Sequence, residues 1–288
     1  MKRLLLFIVA ILLAAPIMPC YAQRAAAPER IGLIDTDYDY ALYGNVSSVK
    51  QSVYELVDKF GTETKGSYIG SSTIKFTTRG HVSNATIYFG EGQSEICTYV
   101  YDQNGRITSV NHVDEYDGSN AGKTVFKYGS NGKWSQRGRY WPNGSLMSKT
   151  VYSYDSANRL SAEIEYDSDG TILSKSVYSY GSNGKVSQML VYDSRGKLIF
   201  KKKYTYDSYK NLISFTTYNA NGGKEYEETY KYNSNGYMTS STEQDFMYGY
   251  KNTYKYKYDS RGNIIERRSY DGDALIPSQL MTYTIAYR

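Results

Sequence analysis

Cysteine, histidine, tryptophan and proline are all scarce in this chain. The scarcity of cysteine and histidine excludes an intrachain disulfide and a conventional structural zinc site. Among 288 residues there are two cysteines, two histidines, two tryptophans and five prolines. Cys20 lies in an N-terminal segment that we expect to be removed, which leaves Cys97 alone and excludes an intrachain disulfide. An isolated cysteine in an apolar strand is ordinarily a small buried hydrophobe. Two histidines and one cysteine also fall short of the four ligands of a conventional structural zinc site.

Long apolar runs are absent beyond the N-terminus. A short basic stretch there precedes an apolar run from Leu4 to Ala15, which is too short to span a bilayer as a helix. Cys20-Tyr21-Ala22 then resembles a small-x-small cleavage site. We predict a signal peptide over residues 1–22, a flexible leader over residues 23–30, and export to the periplasm, cell surface or extracellular space. A lipoprotein anchored through Cys20 is the alternative, and we expect no transmembrane helix after cleavage.

The charge balance is nearly even. Removal of residues 1–22 takes away two basic residues and no acidic one, so the formal net charge falls from +5 to +3. A charge this small does not favour nucleic acid as a partner. We therefore expect no nucleic-acid partner, and the oligomeric state is open.

Tyrosine is what the chain has in excess, with 34 copies against eight phenylalanines. One tyrosine recurs every 26 residues through the middle of the chain, and a second aromatic residue divides each interval into 12 and 14. The main series is Tyr128, Tyr154, Tyr180, Tyr206, Tyr232 and Tyr258. Tyrosine favours β-strands, and a fixed period indicates tandem repeats. We place the repeats at residues 74–288 and an N-terminal capping segment, a strand or short helix, at residues 31–73.

A turn sequence follows each repeat tyrosine. Asp, Asn or Gly stands first and Gly usually fourth, as in Asp193-Ser-Arg-Gly196. This pattern suits a type I turn followed by a left-handed residue, the three-residue hairpin loop with a glycine bulge. We predict structural turn glycines at Gly105, Gly132, Gly170, Gly184, Gly196, Gly236 and Gly262.

The turns set the strand register. The loop at residues 182–184 pairs Tyr180 with Val186, and an uninterrupted ladder would then place Tyr178 opposite Gln188. One face would be aromatic and aliphatic, and the other mostly polar with some aliphatic residues such as Met189. The predicted fold is all-β. Its tandem double hairpins of about 26 residues form a long, twisted or curled antiparallel meander of roughly sixteen strands, a solenoid-like sheet.

The run Tyr101-Asp102-Gln-Asn-Gly105-Arg106-Ile107 resembles the YD repeat of Rhs-type bacterial proteins. Close variants are Tyr192-Asp193-Ser-Arg-Gly196-Lys197-Leu198 and Tyr258-Asp259-Ser-Arg-Gly262-Asn263-Ile264. The resemblance covers residues 74–288 and implies β-sheet ribbons that wind into shells or scaffolds. Some members enclose a toxic domain, and others serve in surface contact or carbohydrate binding. We do not expect toxin encapsulation, because the chain is far shorter than shell-forming members and Lys or Asn often replaces the motif Arg.

No conventional catalytic set is visible. His81 occupies a turn slot, and His112 lies in an irregular stretch without an evident partner. Glycoside hydrolysis needs two carboxylates, but turn geometry already explains the recurrent aspartates. We assign Glu163 and the acidic cluster around Glu228 to solvated faces. The sequence therefore predicts no enzyme, no metal and no cofactor.

Two departures from the repeat are the candidates for ligand binding. Tyr140 and Trp141 stand beside a Pro-Asn-Gly turn, where their rings are placed to stack on sugars. Phe246, Tyr248 and Tyr250 belong to an irregular aromatic loop. Loops on a regular scaffold are where binding specificity tends to lie.

We predict an exported, non-enzymatic repeat scaffold that binds a carbohydrate, a cell-wall component or a partner protein at the cell envelope. One alternative is an outer-membrane β-barrel, favoured by the even strand count and the alternation of Tyr283, Ile285 and Tyr287. Short loops and the polar residues Ser174 and Gln188 count against it. The other alternative is a carbohydrate-active enzyme that uses a pair of turn aspartates.

Overall fold

A computed structural model describes residues 42–59, 61–90 and 93–288. The predicted signal peptide, the leader and residues 31–41 of the capping segment lie outside the described residues. Eighteen antiparallel β-strands occupy the described ranges. They are β1 (Val46–Lys59), β2 (Thr62–Phe76), β3 (Val82–Gly90), β4 (Gln93–Tyr101), β5 (Ile107–Asp114), β6 (Asn120–Tyr128), β7 (Trp134–Tyr140), β8 (Leu146–Tyr154), β9 (Leu160–Asp167), β10 (Ile172–Tyr180), β11 (Val186–Asp193), β12 (Leu198–Tyr206), β13 (Leu212–Asn219), β14 (Lys224–Tyr232), β15 (Met238–Asp245), β16 (Lys251–Tyr258), β17 (Ile264–Asp271) and β18 (Gln279–Tyr287). Within the described ranges, no helix is long and apolar enough to cross a membrane.

The sheet closes on itself. Each strand pairs with the strands before and after it in sequence, and β1 pairs with both β2 and β18. At the seam, Val49 lies opposite Ile285 and Val53 lies opposite Met281. The predicted open, solenoid-like meander is therefore wrong, and the fold is a closed antiparallel barrel of 18 strands. Closure pairs the two edges that a meander would leave open. The repeat pattern predicts each hairpin but carries no information on whether the first and last strands pair.

A hydrogen-bonded clasp reinforces the seam. The Asn263 side chain is fully buried. Its Oδ1 accepts from the backbone N of Tyr43 at 2.6 Å, and its Nδ2 donates to the Tyr43 carbonyl at 3.0 Å. The hydroxyl of Tyr287, on the last strand, donates to Asp259 Oδ2 at 2.6 Å. One turn between β16 and β17 thus holds both the segment before β1 and the end of β18.

Each repeat turn inserts a bulge that changes the facing of the next strand. The predicted turn glycines all have φ between 75° and 89°. Tyr180 pairs with Val186 as predicted, but the register then shifts, so Tyr178 pairs with Met189 and not with Gln188. The reason is that a bulge sets two residues of one strand against one of the other. Because side chains alternate with a period of two, the shift moves Met189 onto the tyrosine face, and its predicted placement is wrong.

The tyrosine face is the inner wall of the barrel. Tyr178, Met189 and Val191 are 5%, 3% and 6% exposed, whereas the alternating Lys175 and Lys203 are exposed. Inward side chains crowd together in a closed barrel, and outward ones diverge. Two apolar clusters lie on this wall, one across β10–β12 and one across β3–β6.

The outer wall is rich in lysine, with exposed aliphatic side chains such as Val100 among the polar ones. Lys201 and Lys203 alternate along β12, and their ammonium groups lie 5.1 and 5.8 Å from the ring centre of Tyr218 on β13. Lys255 lies 4.4 Å from the ring centre of Tyr270 in the same way. Tyr218 and Tyr270, which belong to the second aromatic series, therefore face outward beneath lysines, while the main series faces inward.

A ladder of tyrosine hydroxyls ties consecutive repeats together. Seven of them donate to a backbone carbonyl at the start of the preceding repeat hairpin, at 2.6–3.0 Å. The pairs are Tyr101 to Val82, Tyr128 to Ile107, Tyr154 to Trp134, Tyr180 to Leu160, Tyr206 to Val186, Tyr232 to Leu212 and Tyr258 to Met238. Phenylalanine offers the same ring but no donor, which explains why tyrosine occupies these seven positions.

The rest of the turn motif also couples neighbouring repeats. Asp102 Oδ1 accepts from the backbone N of Asn104 and of Arg106, both at 2.9 Å. Asp102 Oδ2 accepts from Arg106 Nε at 2.7 Å, and the guanidinium lies 4.7 Å from the ring centre of Tyr128 in the next repeat. The backbone NH of Arg106 and then its guanidinium hold the pKa of Asp102 below its usual value. Asp102 stabilises its own turn, and Arg106 connects that turn to the tyrosine of the next repeat.

Candidate functional site

The inner wall carries two kinds of side chain at set distances from each repeat tyrosine. Near the turn it is aromatic and aliphatic. Farther along the strands, four and six residues before the tyrosine and nine and eleven after it, the chemistry changes from repeat to repeat. Around Tyr180 these positions hold Ser174, Ser176, Met189 and Val191. In other repeats they hold acids, bases and amides, so the candidate sites lie at these positions.

A carboxylate pair lies on β14 and β15. Glu228 and Glu243 are direct cross-strand partners. Glu243 Oε1 accepts from the Tyr254 hydroxyl at 2.5 Å and from Asn252 Nδ2 at 2.9 Å, and its Oε2 accepts from the Tyr226 hydroxyl at 3.0 Å. Burial, followed by the nearby charge of Glu243, raises the pKa of Glu228 to about 7. The two acids therefore meet different surroundings.

A polar cleft continues from this pair along the wall. It occupies about 260 Å³ on β16, β17, β18 and β1. Its lining includes Asn252, Tyr254, Arg267, Asp271 and Glu55. Because Asn252 and Tyr254 also hold Glu243, the cleft and the carboxylate pair form one surface. A volume below the ~300–1,000 Å³ of drug-sized sites suits one small ligand or the end of a longer one.

Glu163 is a second acid that the interior encloses. It is 2% exposed, so its assignment to a solvated face is wrong, as is that of Glu228. Burial raises the pKa of Glu163 to about 7, with the charge of Arg137 acting in the opposite direction. The bulge again explains the error, because it turns this part of β9 inward.

A cluster of different chemistry lies on β4 and β5. Glu95 and Cys97 are two residues apart on one face, and His112 is the cross-strand partner of Cys97. His112 Nδ1 lies 2.6 Å from Glu95 Oε1 and 3.6 Å from Cys97 Sγ. Cys97 Sγ lies 3.1 Å from the same Glu95 oxygen. Burial alone would raise the pKa of Glu95, but hydrogen bonds from His112 and Cys97 outweigh it and leave that pKa below its usual value.

The aromatic residues predicted to bind lie on one rim but in two separate places. Tyr140 ends β7 and Trp141, 51% exposed, begins the next turn. Phe246, Tyr248 and Tyr250 lie in the β15–β16 loop, where Tyr248 is 80% exposed. Seven strands, β8 to β14, lie between β7 and β15 along the ring. The β15–β16 group stands at the strand ends that carry Asn252 and Asp271, next to the cleft, and Trp141 does not.

No protein-family model matches the sequence, and a search of curated proteins finds no match. Among solved structures, a porin-like protein from Bacteroides uniformis aligns with 85% of this chain and 99% of its own, at 12% identity and a TM-score of 0.45. A porin-like protein from Bacteroides vulgatus aligns with 72% of this chain and 98% of its own, at 12% identity and a TM-score of 0.34. A Photorhabdus luminescens Tc holotoxin pore aligns with 73% of this chain and 15% of its own, at 15% identity and a TM-score of 0.30. With every TM-score below 0.5, these similarities carry no conclusion about function.

Proposed function

We propose that the chain is an exported, water-exposed β-barrel that binds a small polyhydroxylated ligand of the sugar class on its inner wall. The observation that carries this proposal is the continuous polar surface of β14–β18 and β1 inside a tyrosine-rich interior. Export rests on the N-terminal sequence alone. The resemblance of the turns to YD repeats supports a scaffold role.

The chemistry of the cleft suits hydroxyl groups. A sugar hydroxyl donates one hydrogen bond and accepts others. The carboxylates of Asp271 and Glu55 accept, the guanidinium of Arg267 donates, and the amide of Asn252 does both. The Tyr254 ring lines the same cleft, with the Arg267 guanidinium 4.8 Å from its centre. Phe246 and Tyr248 at the rim are placed to contact the part of a longer glycan that extends from the barrel.

The surroundings of the carboxylate pair favour binding of the ligand without its hydrolysis. Two acids in different surroundings are the usual equipment of a glycosidase. Here the oxygens of Glu243 accept from Tyr226, Asn252 and Tyr254 within the wall. Hydrogen bonds from Tyr230 and Tyr226 also act on Glu228. These contacts fix the two acids as parts of the wall, and the cleft beside them is left to hold the ligand.

An outer-membrane pore is the second candidate, because rings of 16–18 strands are wide enough to enclose an aqueous channel. The outer wall opposes it. A lipid-facing wall needs an apolar band, and a lysine at its midplane costs about 2–4 kcal/mol. Lys175, Lys201, Lys203, Lys255 and Lys257 all occupy outward positions within strands. Seven of the eighteen described strands have eight residues and β7 has seven, just below the ~9–11 that a tilted spanning strand needs.

Calorimetric titration of the full chain with mono- and oligosaccharides tests the binding proposal. We expect a ligand whose affinity falls at least tenfold in Asp271→Asn and Arg267→Gln. Glu266→Gln, one residue from Arg267 but on the outer wall, is the matched control and should leave affinity unchanged. An affinity that is unchanged in both inner-wall variants, or hydrolysis products in the calorimeter cell, would overturn the proposal. Retention of the chain in membranes after carbonate and urea extraction would favour the pore.

A further inference from the structure

We propose that Glu95, Cys97 and His112 form a binding site for a divalent transition metal of the zinc class, with a coordination position left open to the barrel interior. Thiolate, imidazole and carboxylate are the three side-chain ligands that zinc takes in proteins. The ligand atoms of this trio, one from each residue, lie within 4.8 Å of one another. Three protein ligands and one exchangeable position is the pattern of zinc sites that act on a bound molecule.

The strand geometry brings the trio together. Glu95 and Cys97 are two residues apart on β4, so they share a face, and β5 places His112 directly opposite Cys97. Zinc bonds of ~2.0–2.3 Å in a tetrahedron separate ligand atoms by about 3.3–3.6 Å. Cys97 Sγ and His112 Nδ1 are 3.6 Å apart already. Only the Glu95 carboxylate, 2.6 Å from Nδ1 and 3.1 Å from Sγ, must withdraw to admit the ion.

Thr124 holds the imidazole in the ligating orientation. Its Oγ1 lies 2.9 Å from His112 Nε2, on the far side of the ring from the trio. Such a partner on the second nitrogen accompanies most metal-bound histidines and fixes the tautomer. With the metal on Nδ1, the imidazole hydrogen lies on Nε2, where Thr124 accepts it, and the Cys97 thiol releases one proton to solvent.

Other repeats build the same wall without such a trio. The equivalent positions around Tyr128 hold Gly122, Thr124 and Arg139, and those around Tyr180 hold Ser174, Ser176 and Val191. The barrel therefore does not need a thiol, an imidazole and a carboxylate at this point.

Access and charge are compatible with an ion. Cys97 is buried, but the side chains of Glu95 and His112 are 26% and 14% exposed. They lie near the strand ends that form the rim. The charge of Arg139 acts on Glu95 and offsets part of the attraction for a cation. We therefore expect a zinc-class ion, bound through the thiolate, and not a hard cation such as Ca²⁺, which prefers oxygen ligands.

Metal titration of the full chain tests the site. The chain carries Cys20→Ser, so that Cys97 is the one thiol, and a purification tag without histidine; it is reduced, stripped with chelator and titrated with Zn²⁺ or Co²⁺. We expect one equivalent to bind, with a thiolate-to-cobalt charge-transfer band and the visible bands of a tetrahedral ion. Zinc should raise the melting temperature, because it binds the folded chain. The cobalt spectrum identifies the thiolate without any substitution in the site.

Cys97→Ser, His112→Asn and Glu95→Gln should each weaken Zn²⁺ binding at least tenfold. His81→Asn and Glu165→Gln are matched controls, a histidine in a turn and a second acid of the inner wall, and should bind as the parent does. Near-UV circular dichroism of each variant shows that the fold is kept. Zn²⁺ uptake that is equal in the parent, Cys97→Ser and His112→Asn, or a cobalt complex without the thiolate band, would overturn the site and indicate adventitious binding to carboxylates.

Discussion

The buried Glu163 predicts that the barrel loses stability as the pH rises from about 4.5 to about 7. Its carboxyl binds a proton more tightly in the folded chain, with a pKa of about 7 against an ordinary value of 4.5. Because the folded state holds more protons than the unfolded state within this window, the free energy of unfolding falls as the pH rises. The gap corresponds to about 3 kcal/mol. Glu163 Oε2 has no hydrogen-bond partner among the described residues, which agrees with a carboxylate that is poorly stabilised.

Glu163→Gln should remove this part of the pH dependence. Urea unfolding of parent and variant at several values between pH 4.5 and 8 measures it. Glu228 has a pKa raised to about 7 as well, so the parent should decline by more than Glu163 alone causes, and the variant should keep about half of that decline. Glu165→Gln, two residues along the same inner face, is the control and should keep most of it, because the charge of Glu165 is the smallest of the contributions to the shifted pKa of Glu163. An equal decline in Glu163→Gln and the parent would refute the reasoning.

Three further predictions concern the repeat and the seam. Tyr180→Phe removes a hydroxyl that donates to the Leu160 carbonyl at 2.7 Å and should lower the free energy of unfolding by about 1 kcal/mol. The same change at the outward Tyr218 should lower it by less, and equal urea midpoints for the two variants would contradict the tyrosine ladder. Gly196→Val places a branched side chain at a φ of 77° and should destabilise the fold by about 1–3 kcal/mol. Asn158→Gly, at the equivalent turn position with a φ of 60°, should not destabilise it. An unchanged melting temperature for Gly196→Val would contradict the turn assignment. Asn263→Ala breaks the clasp and should cost about 2–4 kcal/mol and speed amide exchange along β1 and β18, more than Asn211→Ala does, because the Nδ2 of Asn211 bonds within its own turn.

The hairpins are the part of the fold that sequence reasoning could reach. A tyrosine, a turn glycine with positive φ and an aliphatic residue six positions after the tyrosine define each hairpin locally. Tyr180 opposite Val186 and Tyr258 opposite Ile264 are as predicted. These features depend on a few consecutive residues, so one sequence suffices to recognise them.

The repeat pattern does not predict that the sheet closes into a barrel. It depends on residues 46–76, which carry no clear repeat yet supply β1 and β2. Whether a twisted sheet curls open or meets its own edge depends on the accumulated twist of all eighteen strands. The outer-membrane alternative, based on the even strand count and the alternation of Tyr283, Ile285 and Tyr287, correctly anticipated a barrel.

The candidate sites depend on one step of the register that the repeat motif alone does not give. The glycine bulge predicted for each turn shifts the facing of the strand that follows it. With that step, the residues nine and eleven after each tyrosine become inward-facing, and Glu163, Glu243 and His112 stand out as polar members of a buried wall. The trio of Glu95, Cys97 and His112 is hard to find in the sequence for a second reason: a count of His and Cys alone does not include a carboxylate ligand.

A cross-link across the seam tests the central claim, closure of the barrel, most directly. Lys50 on β1 and Thr284 on β18 are cross-strand partners on the outer wall, and directly opposed residues have Cβ atoms about 4.5–5.5 Å apart. Oxidation of the Lys50→Cys, Thr284→Cys chain should give an intrachain disulfide in nearly every molecule. The pairing of Lys50→Cys with Ala286→Cys, two residues out of register, should give much less. A double variant that stays reduced, or that links only between chains, would contradict a closed ring.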